Sequence, residues 1–408
     1  MNPPSAQARR ARAASAALFL ANGALFANVI PRLPDIKGGL ALTNTAFGTA
    51  IAAYGLGALV VGLLAGYLVG RWGSARIAPL STIGIGVNLV LLALAPSWLI
   101  LAAVLFAVGS LDAVADVAGN AHALRVERAH GRSILNALHG VWSIGAVIGG
   151  AMGAAAAGLD VPLLLHLSIA AALFATVALL ASRFVLPGRD DAGPAGNEDH
   201  PRGTRRAGRL GLVRNVLALG LIAAMAQAME DTGATWGAVY LREDLGAAAA
   251  VAGLGFIALQ ATQTVGRLLG DRLVTRFGDR AVARAGAGTA GVAMAVALAV
   301  PTPASTIVAF GAVGLGIGTL IPASLRAVNG LAGLPAGVGL TLVGTIERIA
   351  ILVAPAVIGV AADAFGLRVG LLAIPVAAVV VLVLSRWLPT LPASPMSPGG
   401  HATRGAGS

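Results

Sequence analysis

The sequence contains no cysteine, which excludes disulfides, thiolate metal sites and cysteine nucleophiles but leaves the compartment open. Charge is scarce as well. Asp, Glu, Lys and Arg together make up 11% of 408 residues, against 57% hydrophobic, a balance far from that of a soluble globular chain. No Gly-x-x-x-x-Gly-Lys-Ser/Thr run occurs, so work driven by nucleotide within this chain has no support. The histidines lack a compact ligand motif, and neither a metal nor any other cofactor is expected.

What the chain has instead is long apolar runs. A window of about 19 residues finds twelve, near 14–30, 44–70, 77–95, 98–123, 134–157, 162–185, 213–240, 248–271, 284–300, 304–329, 335–362 and 367–388. Each is long enough to cross about 30 Å of hydrocarbon as a helix. The first follows Arg9, Arg10 and Arg12 and has the look of a signal peptide, but the eleven runs behind it make it an integral anchor.

The net charge of +11 raises the question of nucleic acid, and the placement of the arginines answers it. With both termini inside, alternate loops hold Arg71 and Arg76, Arg125, Arg128 and Arg132, the 187–212 segment, and Arg272, Arg276, Arg280 and Arg284. The opposite loops keep Arg32, Lys37, Arg242 and Arg368. This is the positive-inside pattern. The expectation is a multi-pass protein of a bacterial inner membrane with both termini cytoplasmic, monomeric, and with no nucleic-acid partner.

Between runs six and seven lies "PGRDDAGPAGNEDHPRGTRRAGRLG", rich in Gly, Pro and both signs of charge, a composition that buries no core. The chain therefore divides into a cytoplasmic segment 1–13, a six-helix bundle 14–186, a linker 187–212, a second six-helix bundle 213–388 and a disordered tail 389–408. An internal echo supports duplication. "GYLVGRWGSARIA" (66–78) resembles "DRLVTRFGDRAVA" (271–283), with Arg71-Trp72-Gly73 and Arg276-Phe277-Gly278 in matching places. Parallel repeats of this kind mark transporters, with the site near the midplane between halves. Gly62, Gly66 and Gly70, and Gly145, Gly149 and Gly153, form small-residue stripes that let helices approach closely, either as sliding seams or as static packing.

This layout, with its Gly-x-x-x-x-Arg-x-Gly turn, resembles the major facilitator superfamily over essentially the whole chain. More narrowly, "PRLPDIK" (31–37), "DVAGNAHALRVER" (116–128), "GRSILNALHGVWSIG" (131–145) and "ATWGAVYLRE" (234–243) resemble bacterial permeases grouped near the fucose:proton symporters. The resemblance implies an all-helical membrane fold of two bundles related by pseudo-two-fold symmetry, with helices 3, 6, 9 and 12 outside. Two departures matter. Gly70 stands where the superfamily usually has an acid, so gating would lean on Arg71, Arg76, Arg267, Asp271 and Arg276. Ala146 replaces the proline of the antiporter motif in "GAVIGG", which weakens a reading as a drug:proton antiporter.

A charge within a span costs about 2.5–3.5 kcal/mol on insertion scales, so it persists where it faces protein or water. Spans 3, 9 and 12 hold no charge in their cores and span 6 only His166, whereas spans 4, 7, 8 and 11 carry Asp112, Asp116, Glu230, Asp231, Arg267, Glu347 and Arg348. In span 4, Asp112, Asp116 and Asn120 repeat every fourth residue and share one helical face. Asp116 lies about 13 Å inward from Arg125, and His139 about 10 Å inward from Arg132, at the helical rise. They share a layer, either as a hydrogen-bonded pair tying two helices or, with Asp112, as a proton-coupling site. The second follows from burial favouring the protonated carboxyl and from an imidazole exchanging protons near neutrality.

Substrate contacts are expected from Asn22, Asn120, Trp142, Gln227, Glu230, Asp231, Trp236, Glu347 and Arg348. Gln227 and Asp231 share a face at i,i+4, which favours Asp231 as the cavity-facing acid of its pair. Trp236 could stack on a ligand near the outer mouth, whereas Tyr240 reads as an interfacial anchor. Arg267 and Asp271, also i,i+4, are expected to pair near the cytoplasmic face. Arg348 lies on the polar stripe of Thr341 and Thr345, with Glu347 as its compensating charge.

The leading expectation is a non-enzymatic secondary transporter that moves a small polar solute, sugar-like, zwitterionic or drug-like, by alternating access coupled to protons. The alternatives are export by proton antiport and, remotely, a metal-dependent hydrolase using Asp112, Asp116, His122 and His139. A receptor on a transporter scaffold is the third class.

Overall fold

Backbone amides and carbonyls find no partner in hydrocarbon, so each apolar run must satisfy its own by forming a helix. The computed structural model, which describes residues 5–131, 133–188, 209–331, 333–334 and 337–390, has twelve helices long and apolar enough to cross a membrane. They are α1 (Ala6–Gly39), α2 (Asn44–Trp72), α3 (Ser74–Ala93), α4 (Trp98–His130), α5 (Leu135–Gly158), α6 (Leu163–Ser182), α7 (Leu210–Asp244), α8 (Ala249–Phe277), α9 (Asp279–Ala299), α10 (Pro303–Asn329), α11 (Val338–Phe365) and α12 (Leu367–Trp387). The linker lies largely, and the tail mostly, outside the described residues.

Local chemistry sets the ends. The Thr43 side chain accepts from Ala46 N at the start of α2, and at the start of α10 Thr302 and Ser305 satisfy each other's backbone amides in a capping box. In α1 the regular helix stops at Ala27. Pro31 and Pro34 lack the N–H that would continue it, and the chain passes through a 3-10 turn, Ile30–Arg32, into a short helix, Leu33–Gly39.

The echoed segments fold alike. Gly73 (φ 85°, ψ 140°) and Gly278 (φ 80°, ψ 155°) each end one helix and start the next. Their amides donate to Val69 O at 2.7 Å and Val274 O at 2.8 Å. The left-handed φ requires glycine there, which is why each motif ends in it.

Helices α1–α6 and α7–α12 form two halves, and α3, α6, α9 and α12 pack chiefly within their own half. The halves meet along α2 against α11 and α5 against α8. Close approach there relies on glycine. Gly48 faces the Pro355 carbonyl, Gly359 the Asn44 carbonyl and Gly158 the Ala250 side chain. The Gly145, Gly149 and Gly153 stripe serves packing inside one half, against the carbonyls of Leu20, Ala24 and Asn28 in α1.

At the end opposite the arginine-rich turns, charges lock the halves together. Lys37 meets Glu243 at 2.5 Å, and Arg242 meets Asp35 at 2.6 Å, which Arg32 also holds at 2.6 Å. Asp363 of α11 accepts from Asn44 N (2.9 Å) and Thr45 N (2.7 Å), so one half caps the amino end of a helix in the other. The arginine-rich end shows no such lock among the described residues. Asp116, His139 and Arg267 are exposed toward it, so the molecule is closed at one end and open at the other.

Candidate functional site

Where the halves part, α4 presents Asp112, Asp116 and Asn120 on one face, as the spacing predicts. Asp112 is gripped from two sides. The Asn22 Nδ2 donates to Oδ1 at 3.1 Å and the Tyr54 hydroxyl donates to Oδ2 at 2.7 Å. Asn22 in turn accepts from Trp142 Nε1 at 2.8 Å. Thus the Asp112 carboxyl ties α4 to α1 and α2, and Asn22 extends the tie to α5 through Trp142.

Asp116 and His139 share a layer without touching. Asn120 stands between them, donating to Asp116 Oδ1 at 2.8 Å while its Oδ1 faces His139 Nε2 at 3.1 Å. With the asparagine oxygen as acceptor, the imidazole carries its proton on Nε2. Of the two readings of this layer, the direct aspartate–histidine hydrogen bond is replaced by a three-membered chain in which the Asn120 amide bridges the two side chains.

In the second half the two neighbouring acids of α7 diverge. Asp231 accepts from Gln227 Nε2 at 3.0 Å, whereas Glu230 turns to α8, accepting from Gln263 Nε2 at 2.5 Å and lying 4.0 Å from Arg267. Asp231 Oδ2 is buried with no hydrogen-bond partner among the described residues. Arg267 does not pair with Asp271. It points across the interface, its Nη1 3.5 Å from Ser143 Oγ, because the deeper Glu230 and Ser143 lie within reach of its long side chain.

The charges of α11 also separate. Arg348 reaches toward α2, where its Nη1 occupies the space beside Gly62, and within electrostatic range of Asp116. Glu347 sits within range of Glu230, Asp116 and Arg267 as well as of its neighbour. The two make no ion pair with each other among the described residues. Five carboxyls, Asp112, Asp116, Glu230, Asp231 and Glu347, therefore gather around two guanidiniums and one imidazole.

One expectation fails on burial. Trp236 is fully buried, edge-on to Phe47 across the interface with ring centroids 5.4 Å apart, so in this conformation it seals the closed end and is unavailable to stack on a ligand. Tyr240 is likewise buried rather than anchored at a surface. Arg71, Arg76, Asp271 and Arg276 are exposed at the open end, Arg276 lying over the Phe277 ring. Sequence reading missed Tyr54, whose signal is a lone phenol in the apolar "AIAAYGLGALV". Among the described residues no group of three or more His, Cys, Asp or Glu is placed to hold a metal. His122 is buried, with Nδ1 3.3 Å from Ser74 Oγ and Nε2 3.3 Å from Leu186 N.

Two six-helix halves closing around a charged midplane are matched by sequence. Residues 15–240 and 216–406 match the Major Facilitator Superfamily. The chain belongs to that superfamily. An uncharacterized transporter of Sinorhizobium fredii is 30% identical, over 91% of this chain and 96% of its own length. An uncharacterized major-facilitator-type transporter of Yersinia pestis is 28% identical over 83% and 85%, and the membrane protein MosC of Rhizobium meliloti 27% over 90% and 87%. Among solved structures, a bacterial homolog to the human lysosomal transporter Spinster, inward-facing and unoccupied, superposes with a TM-score of 0.73 at 16% identity, over 94% of this chain and 98% of that one. The nucleoside transporter NupG (D323A mutant) gives 0.72 at 14%, over 92% and 98%. These last two share the fold of this major facilitator.

Proposed function

We propose that this major facilitator is a secondary active transporter that moves a small polar solute by alternating access, with protons coupled through Asp112, Asp116 and His139. The observation that carries the reading is the midplane cluster. Charged and amide groups from both halves converge at a depth where lipid offers no solvation, and they are reached from one end while ion pairs close the other. Such a site has a use when the closed end changes sides.

Five carboxyls beside two guanidiniums suit a solute with several hydroxyls or with separated charges, sugar-like or zwitterionic. The segments that resemble the fucose:proton symporter neighbourhood support the sugar-like end of that range. Asn22, Asn120, Trp142, Gln227, Glu230, Asp231, Glu347 and Arg348 are the proposed solute contacts. Arg71, Arg76, Arg267, Asp271 and Arg276 are the proposed gate at the open end, which the positive-inside pattern assigns to the cytoplasm together with both termini. The transporter acts as a monomer in the inner membrane.

Uptake into proteoliposomes tests this. A solute that raises the melting temperature of the purified protein in a panel of sugars, amino acids and aminated antibiotics should accumulate inside when a pH gradient is imposed. Turnover without accumulation would make the protein an enzyme, and saturable binding alone a receptor. The sign of the gradient that drives uptake separates symport from antiport.

A further inference from the structure

A second cavity, of about 780 Å³ and away from the midplane, opens at the arginine-rich end of the first half. Arg10 of α1, Arg71 and Arg76 of the α2–α3 turn and Arg183 just after α6 line it, together with Trp72 and Phe184. Among the described residues no carboxylate does. None of the four guanidiniums makes a hydrogen bond or ion pair among the described residues.

The cradle is built rather than incidental. Buried His122 joins two of its walls, since the Leu186 amide donates to Nε2, which leaves Nδ1–H to donate to Ser74 Oγ. Arg125 Nη2 holds the Pro187 carbonyl at 2.8 Å. Gly73, with φ +85°, turns the chain so that Arg71 and Arg76 flank one opening. Four like charges held around one space repel one another, and no carboxylate among the described residues lines that space to offset them.

We propose that this cavity binds a phosphate-bearing anion. Guanidinium pairs match phosphate oxygens in a bidentate fork, and several around one cavity would enclose such a group. Two sources carry this chemistry, the headgroup of an anionic phospholipid and a soluble phosphate. Trp72 and Phe184 are half exposed, at 51% and 49%, and aromatic rings beside basic groups are the surface that a bilayer interface meets.

Native mass spectrometry of the purified full chain with dioleoyl phosphatidylglycerol or dioleoyl phosphatidylcholine tests the proposal, alongside thermal shift with inorganic phosphate. The paired variant Arg10→Gln/Arg183→Gln spares the proposed gate, and Arg272→Gln, an exposed arginine of the other half, controls for net charge. The wild type and the control should hold phosphatidylglycerol about tenfold more tightly than phosphatidylcholine, and the paired variant should lose that preference. Stabilisation by inorganic phosphate in the wild type, lost in the variant, would identify the source as soluble. Equal binding by wild type and variant, or no preference for either phosphate probe, would overturn the proposal. Should the paired variant fail to fold, Arg183→Gln alone is read the same way.

Discussion

The guanidinium of Arg348 in α11 crosses from one half to the other and occupies the space that a side chain on Gly62 of α2 would fill. A methyl at Gly62 would meet the far end of a flexible side chain rather than backbone, so the helices keep their packing while the guanidinium moves. Gly62→Ala and Arg348→Gln should therefore both weaken solute affinity, by roughly tenfold, the scale of one hydrogen bond to a charged group, with little change in melting temperature. Binding titrations beside thermal denaturation check this. An early melt with unaltered affinity in the folded fraction would make Arg348 structural.

The grip on Asp112 gives the next expectation. Tyr54→Phe removes one of its two side-chain donors without changing shape, and should cost about 1.5–3 kcal/mol of stability if that bond behaves as others to charged groups do. Asn22→Ala should cost at least as much, because it strands Trp142 Nε1 as well as one oxygen of Asp112. Thermal denaturation in detergent reads both. Unchanged melting in both variants would mean that the network contributes nothing to the resting fold.

Much of this was legible in the residues. Twelve runs, their division into halves and the paired Arg71-Trp72-Gly73 and Arg276-Phe277-Gly278 turns follow from hydropathy and from a glycine that only a left-handed φ explains. The Asp112, Asp116 and Asn120 face follows from the helical repeat. Periodicity says which residues share a face but not what that face meets, so it points Trp236 toward a ligand where the fold packs it on Phe47. It also cannot choose between two partners in reach, so spacing pairs Arg267 with Asp271, one turn away, where the fold sets it beside Glu230 from another helix. Tyr54 is invisible to local spacing because its partner is 58 positions along the chain.

The closed end can be tested chemically. Lys37 and Glu243 meet across the halves, and the chain has no native cysteine to complicate labelling. Lys37→Cys/Glu243→Cys, bridged by a short bifunctional thiol reagent whose spacer contains a reducible disulfide, should lose transport and regain it on reduction. Full activity in the bridged protein would show that transport does not require this end to open.

Sidedness rests on the arginines. Single cysteines at Ser5, Gly193 and Ser397, the last two outside the described residues, should resist an impermeant thiol reagent in intact cells and react after permeabilisation. Labelling of any one from outside would reverse the orientation.

The central claim is that protons are coupled to the solute through Asp112, Asp116 and His139, with the Asn120 amide holding the last two in one layer. Its most direct test compares two modes of one proteoliposome preparation, accumulation under an imposed pH gradient and exchange of labelled for unlabelled solute at equal pH. Wild type should perform both. Asp116→Asn, which keeps the shape and loses the titratable proton, should keep exchange and fail to accumulate. Accumulation in Asp116→Asn that matches wild type and collapses with a protonophore would contradict the account and return Asp116 to the role of a tie between helices.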